Sequence, residues 1–210
     1  MSKIRLTPNA SGTGTVTLTV PSTSTDRTIT LPDTTGTLLD SSGQGVDVWY
    51  ITANKTASSN TAPLDANWVR LEGNPVTNSS NPNFTYSGDM TGTIGNAMTE
   101  SSGNFTFPST GIYRIDFRSA AVNSNTSNDF YYPFILLTTD NFTNEGSQIL
   151  AVDNIDNQAT AGQMASCIFD VQDTSNYKCR FEVGSITNGY VSGDTNYMKT
   201  YVIFTRLGDT

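Results

Sequence analysis

Alternation with a period of two dominates most of the chain, and helical periodicity is absent throughout. From Val46 onward, short runs of Val, Ile, Thr, Tyr and Phe recur between connectors rich in Asn, Ser, Gly and Asp. Such runs read as strands. The pattern predicts strands over 46–53, 68–71, 84–86, 104–107, 111–122, 130–138, 148–152, 164–171, 177–185 and 197–206. Asn188-Gly189 is a tight-turn signal. Many short strands at this spacing imply an all-β, two-sheet sandwich, with jelly-roll winding as the expected connectivity.

Residues 1–45 differ. They hold two related phrases, Thr15-Val16-Thr17-Leu18-Thr19-Val20-Pro21 and Thr28-Ile29-Thr30-Leu31-Pro32. In each, Thr alternates with an aliphatic residue and Pro closes the run, as in a short edge strand. Val16, Leu18, Val20, Ile29, Leu31 and Leu38 are too few large apolar residues for a core of their own. Fully extended, the segment would reach about 150 Å. It reads as an extended β-arm, joined at the hinge-like Ser41-Ser42-Gly43-Gln44-Gly45 to a head of residues 46–210.

Composition narrows the partners. Hydrophobic residues make up 36% of the chain and charged residues 14%, the remainder being dominated by Thr, Ser, Asn and Gly, which suits strands and turns rather than helices. Net charge is −8, with 11 scattered basic residues. A nucleic-acid binder needs a concentrated basic face, and an anionic membrane surface would repel this chain, so neither partner is expected. The opening Met1-Ser2-Lys3-Ile4-Arg5 lacks the apolar stretch of a signal peptide, which makes a cytoplasm the expected place of synthesis and folding.

Candidate chemistry is sparse. No His occurs, which removes Ser-His-Asp and Cys-His catalysis and every His-ligated metal. Cys167 and Cys179 share the apolar phase of their segments, with Lys178, Arg180 and Glu182 in the opposite phase of the second. They are expected as two buried thiols, while facing strands would also allow a disulfide. The carboxylate pairs Asp153/Asp156 and Asp170/Asp173 lie in or beside Asn-rich segments, where Asp is an ordinary turn residue; the expectation is no enzyme. Those loops carry oxygens of the kind calcium accepts, but Asp153-Asn154-Ile155-Asp156-Asn157 matches no calcium loop, and no cofactor is expected. Trp49 and Trp68 are expected in packing rather than as a sugar platform.

The segment Phe105-Thr106-Phe107-Pro108-Ser109-Thr110-Gly111-Ile112-Tyr113-Arg114-Ile115-Asp116-Phe117 resembles the signature of complement-type globular heads, which share a superfamily with tumour necrosis factor. Phe105, Gly111, Tyr113, Ile115 and Phe117 carry the match. It departs where the family has an aromatic before the first Phe (here Met98) and a Phe after Tyr113 (here Ile115). The ending Tyr201 to Gly208 resembles the last strand of such heads. The arm phrases, with Asp33-Thr34-Thr35-Gly36-Thr37-Leu38, resemble amino-terminal segments of fibre and other virion proteins in phages of marine bacteria and cyanobacteria. Together the resemblances imply a homotrimeric phage virion protein, whose arm binds capsid, neck or tail proteins and whose head projects as a fibre or decoration. The alternative they leave open is a tail-fibre tip that recognises a host surface polysaccharide or outer-membrane protein. Tyr131, Tyr132 and Tyr201 are the candidate trimer-interface residues; the phase argument allows only one of Tyr131 and Tyr132 to enter the core.

Overall fold

Fifteen strands and no helix make up the described residues of the computed structural model, which are 44–56, 61–71, 92–124, 129–144, 146–151, 153–155, 159–186, 189–195 and 197–210. In chain order they are β1 Gly45–Ile51, β2 Lys55–Thr56, β3 Thr61–Pro63, β4 Trp68–Arg70, β5 Thr93–Ile94, β6 Thr99–Ser101, β7 Asn104–Thr106, β8 Gly111–Asn123, β9 Asp129–Thr138, β10 Ser147–Leu150, β11 Asp153–Ile155, β12 Thr160–Val171, β13 Lys178–Gly184, β14 Gly189–Val191 and β15 Tyr201–Gly208. The arm residues Val16, Leu18, Val20, Ile29, Leu31 and Leu38, and the expected strand at 84–86, lie outside the described residues.

Two antiparallel sheets result. The first runs β2-β14-β8-β15-β1-β4, with β12 also on β8 and β5 on β1. The second runs β10-β9-β13-β7-β6, with β11 on β9 and β3 on β13. The alternation in the sequence decides which side chains enter the space between them. In β8, Tyr113, Ile115 and Phe117 are buried, while Arg114 is exposed and Asp116 half-buried. In β13, Cys179, Phe181 and Val183 are buried and alternate with half-buried Lys178, Arg180 and Glu182. In β15, Val202 and Phe204 point inward.

An aromatic cluster fills the centre. Phe105, wholly buried, meets Trp49 and Trp68 edge-on at 5.5 and 5.3 Å, and Phe181 and Phe204 at 5.4 and 5.2 Å. The indoles satisfy their N–H groups locally: Trp49 donates to Asp47 at 2.9 Å and Trp68 to the Leu64 carbonyl at 2.7 Å. Both tryptophans are therefore core residues.

Some boundaries differ from the sequence pattern. The last strand starts at Tyr201 rather than 197, because Lys199 N turns back to donate to the Tyr197 carbonyl at 2.9 Å. Conversely β12 begins at Thr160 rather than 164, since the long β8 supplies ladder partners from Val122 onward.

Gly111 opens β8 at φ +141°. A Cβ there would stand 2.6 Å from the Gly208 carbonyl oxygen and 2.7 Å from Arg206 Nε. Backbone cannot yield as a side-chain end can, so Gly111→Ala is expected to cost about 1–3 kcal/mol, read as a lower urea midpoint.

Candidate functional site

Of the carboxylates singled out in the sequence, the side chains of Asp170 and Asp173 are described. Asp170 accepts from Gln172 Nε2 at 3.2 Å, and Asp173 accepts from Ser175 N and Asn176 Nδ2 at 2.8 and 2.6 Å. The Asp173 carboxyl is held below the usual carboxylate range by the Ser175 N–H first and the Asn176 side chain second. That is turn chemistry. The Asp153 and Asp156 side chains lie outside the described residues. Among the described residues no three His, Cys, Asp or Glu side chains converge as metal ligands.

The two cysteines are free thiols, Cys179 buried and Cys167 half-buried on the edge strand β12. Burial and then the Asp116 carboxylate push the Cys167 thiol up to about 11; burial and then Cys167 raise Cys179 as well. The Cys167 thiol ionises near 9.0 when unfolded and only near 11 when folded, so stability present below pH 9 is lost as pH rises toward 11. Thermal melts between pH 8 and 11 are expected to show that loss, and Cys167→Ala to show less of it. An identical decline in the variant would refute the assignment.

Surface is where this molecule is distinctive. The outward rows of the first sheet follow from its register. Val69, Tyr50, Tyr201, Arg118 and Met164 lie side by side across five strands. Val48, Ile203, Asp116 and Ser166 form the next row, and Ile94, Val46, Thr205, Arg114 and Ile168 the one after. Val69, Ile94, Met164, Ile168 and Leu207 are 43–58% exposed and all lie on strands of this sheet. Several of its charged groups are bonded within the chain: Arg114 pairs with Asp116 at 2.9 Å, Ser166 donates to Asp116 at 2.6 Å, and Arg118 donates to the Lys199 carbonyl at 2.9 Å while its guanidinium lies 6.0 Å from the Tyr201 ring. A sheet face with exposed apolar rows and internally bonded polar groups is a surface suited to another protein surface.

The three tyrosines proposed for one interface are not brought together. Tyr131 is wholly buried inside its own subunit, its hydroxyl bonded to Ser119, so it presents nothing to a second copy. Tyr201 lies on the outer face of the first sheet. Tyr132 lies on the outer face of the second, beside Phe134 with ring centroids 6.3 Å apart. Phase distinguished Tyr131 from Tyr132 but carried no information about which sheet each strand joins.

A second surface feature lies on the second sheet. Strand β9 pairs with the whole length of β13, so β3 and β7 share the opposite edge of β13, one beyond the other. The gap between them is a cleft of about 90 Å³ lined by Pro63, Leu64, Asp65, Asn104, Arg180 and Glu182, among others. Nothing in the sequence pattern marked it.

Comparison with known proteins supports the fold and stops there. No family model and no curated protein sequence matches the chain. Among solved structures, murine APRIL at pH 5.0 superposes with a TM-score of 0.52, and at pH 8.0 with 0.50; each is 10% identical and covers 78% of this chain and 99% of the other. Eiger TNF from S. frugiperda is a weaker likeness, with a TM-score of 0.39 and 9% identity over 77% of this chain and 94% of the other. The described residues are therefore an all-β, two-sheet sandwich of the TNF-like jelly-roll class.

Proposed function

We propose that this chain is a non-enzymatic structural protein of a bacteriophage particle, a homotrimeric fibre or decoration protein. Its head associates through the outer face of the first sheet, and its residues 1–45 anchor it to capsid, neck or tail proteins in the virion, after assembly in a bacterial cytoplasm. The observation that carries the reading is the apolar outer face around Tyr50, Val48 and Ile203 on an otherwise well-closed sandwich. The TNF-like jelly roll is compatible with threefold self-association. The arm phrases supply the resemblance to virion proteins.

Light scattering on the full-length chain tests it. The expected mass is three times that of one chain, and Ile203→Asp, which places a charge at the centre of the apolar rows, is expected to reduce it to one. Far-UV circular dichroism unchanged by Ile203→Asp separates lost association from lost fold. A wild-type chain that stays monomeric at micromolar concentration overturns the trimer. Anchoring is tested separately: loss of particle binding on removal of residues 1–45 is expected, and undiminished binding excludes the arm.

The alternative of a receptor-binding tip is favoured by one specific observation, the polar cleft on the second sheet.

A further inference from the structure

We infer that the cleft between β3 and β7 is a binding site for a neutral, hydroxyl-rich sugar ring, a subsite that the virion-protein reading does not require. Its walls are fixed by local geometry. Ser102 and Gly103, at φ 50° and 81°, form the tip of the β6–β7 hairpin. A Cβ on Gly103 would come within 2.7 Å of the Leu64 carbonyl oxygen, so only glycine lets the tip rest against the opposite wall. Leu64 N in turn donates to the Phe181 carbonyl at 2.9 Å, tying that wall to the β13 floor. The space would hold on the order of six waters.

Two atoms in this cleft have unmet needs. Asn104 Oδ1 is buried without a hydrogen-bond partner, and Arg180 Nε makes no hydrogen bond beyond its 3.5 Å ion-pair contact with Glu182 Oε1; both residues line the cleft. Buried polar atoms are rarely left so, and these are one acceptor and one donor. A hydroxyl group satisfies both kinds, since it donates once and accepts twice. Ser102, Asp65 and Glu182 add further partners around the same space.

Charge argues for a neutral ligand. Asp65 is paired with Lys55 at 2.6 Å, and Glu182 stands 3.5 Å from Arg180. Each carboxylate has a cation beside it, so neither a phosphate nor an amine would meet an uncompensated charge.

Aromatic surface lies on the same outer face. Phe134 sits directly opposite Glu182 in the register and Tyr132 opposite Gly184. A Cβ on Gly184 would stand 2.6 Å from Phe134 Cε2, so the absent side chain is what lets the ring lie over β13. Phe142 lies 4.5 Å from the Arg180 guanidinium. These rings stand on the β9 side of β13, across that strand from the cleft, so a pyranose seated on Asn104 and Arg180 would extend over β13 to lay its C–H face on Phe134. The site also faces away from the first sheet, so a trimer built on that sheet leaves it open.

Saturation-transfer NMR on the full-length protein with the methyl glycosides of glucose, galactose, mannose and rhamnose is the test. Transfer to ring C–H protons of at least one is expected, with a Kd on the order of 1 mM. Asn104→Leu removes the unmet acceptor without leaving a new polar orphan, and is expected to weaken binding at least tenfold while the protein melts no lower. Phe134→Ala is expected to weaken it by a similar factor. No transfer from any of the four glycosides overturns the site, as does transfer that both variants leave unchanged. A response to inorganic phosphate in place of the glycosides overturns the neutral-ligand assignment. The outcome is separable from the virion reading: a trimer that binds no sugar removes this site alone, and a monomer that binds sugar leaves it standing.

Discussion

Asp47→Ala is expected to destabilise the protein by about 3–5 kcal/mol, equivalent to a fall in Tm on the order of 10 °C. Asp47 is 2% exposed and stands in the inward phase of β1. Its carboxylate accepts from Trp49 Nε1 at 2.9 Å, Arg70 Nε at 2.9 Å, Thr93 Oγ1 at 3.1 Å and Met98 N at 2.8 Å. Arg70 is itself layered on the Trp49 ring at 4.4 Å and donates to the Met98 carbonyl. One carboxylate thus gathers β1, β4, β5 and the segment leading into β6. Alanine takes the counter-charge from Arg70 and leaves the buried Met98 N–H and Trp49 N–H without their acceptor. Asp47→Asn keeps an oxygen for part of this set but loses the charge, so its loss should be smaller. The check is urea unfolding of the three proteins, and a loss below about 1 kcal/mol for alanine would mean the cluster is dispensable.

The signal for Asp47 was present in the sequence, although its meaning was not. Alternation through Val46-Asp47-Val48-Trp49-Tyr50-Ile51 puts a charged residue in step with Trp49 and Ile51, and a charge in a core phase demands a partner. The partners lie 23, 46 and 51 positions away, beyond the reach of any local pattern.

The same division runs through the whole fold. Strands of seven residues or more, such as β8, β9, β13 and β15, carry several periods of alternation and were legible. Strands β2, β3, β5, β6, β11 and β14 have two or three residues each and were not, because they exist through their neighbours' ladders. The candidate surfaces follow suit. The outward phase of β1 and β15 could be read, but their adjacency across the sheet could not. The cleft at Asn104 and Arg180 arises from an interruption between two short strands on one edge of β13, a feature of pairing that leaves no trace in sequence order.

Phe105→Ala should have an effect of comparable size, a loss of about 3–5 kcal/mol. Phe105 sits in a strand of three residues, yet its ring is wholly buried and meets four aromatic rings within 5.5 Å. Those rings come from β1, β4, β13 and β15, so both sheets close upon this one side chain. Removing it opens a void whose lining cannot collapse, because Trp49 and Trp68 are pinned through their N–H groups to Asp47 and the Leu64 carbonyl. The edge-on contacts with the two indoles are lost as well, each worth roughly 0.5–1.5 kcal/mol beyond the buried area. Phe105→Leu retains most of the volume and should cost less than half as much. Because Trp49 and Trp68 are the two tryptophans of the chain, their fluorescence reports both the local repacking and global unfolding. A lower urea midpoint with an unchanged slope is expected for Phe105→Ala. If the alanine and leucine variants instead unfolded at the same midpoint, the void would have been filled by its neighbours, and the pinned indoles could not be what holds the centre open.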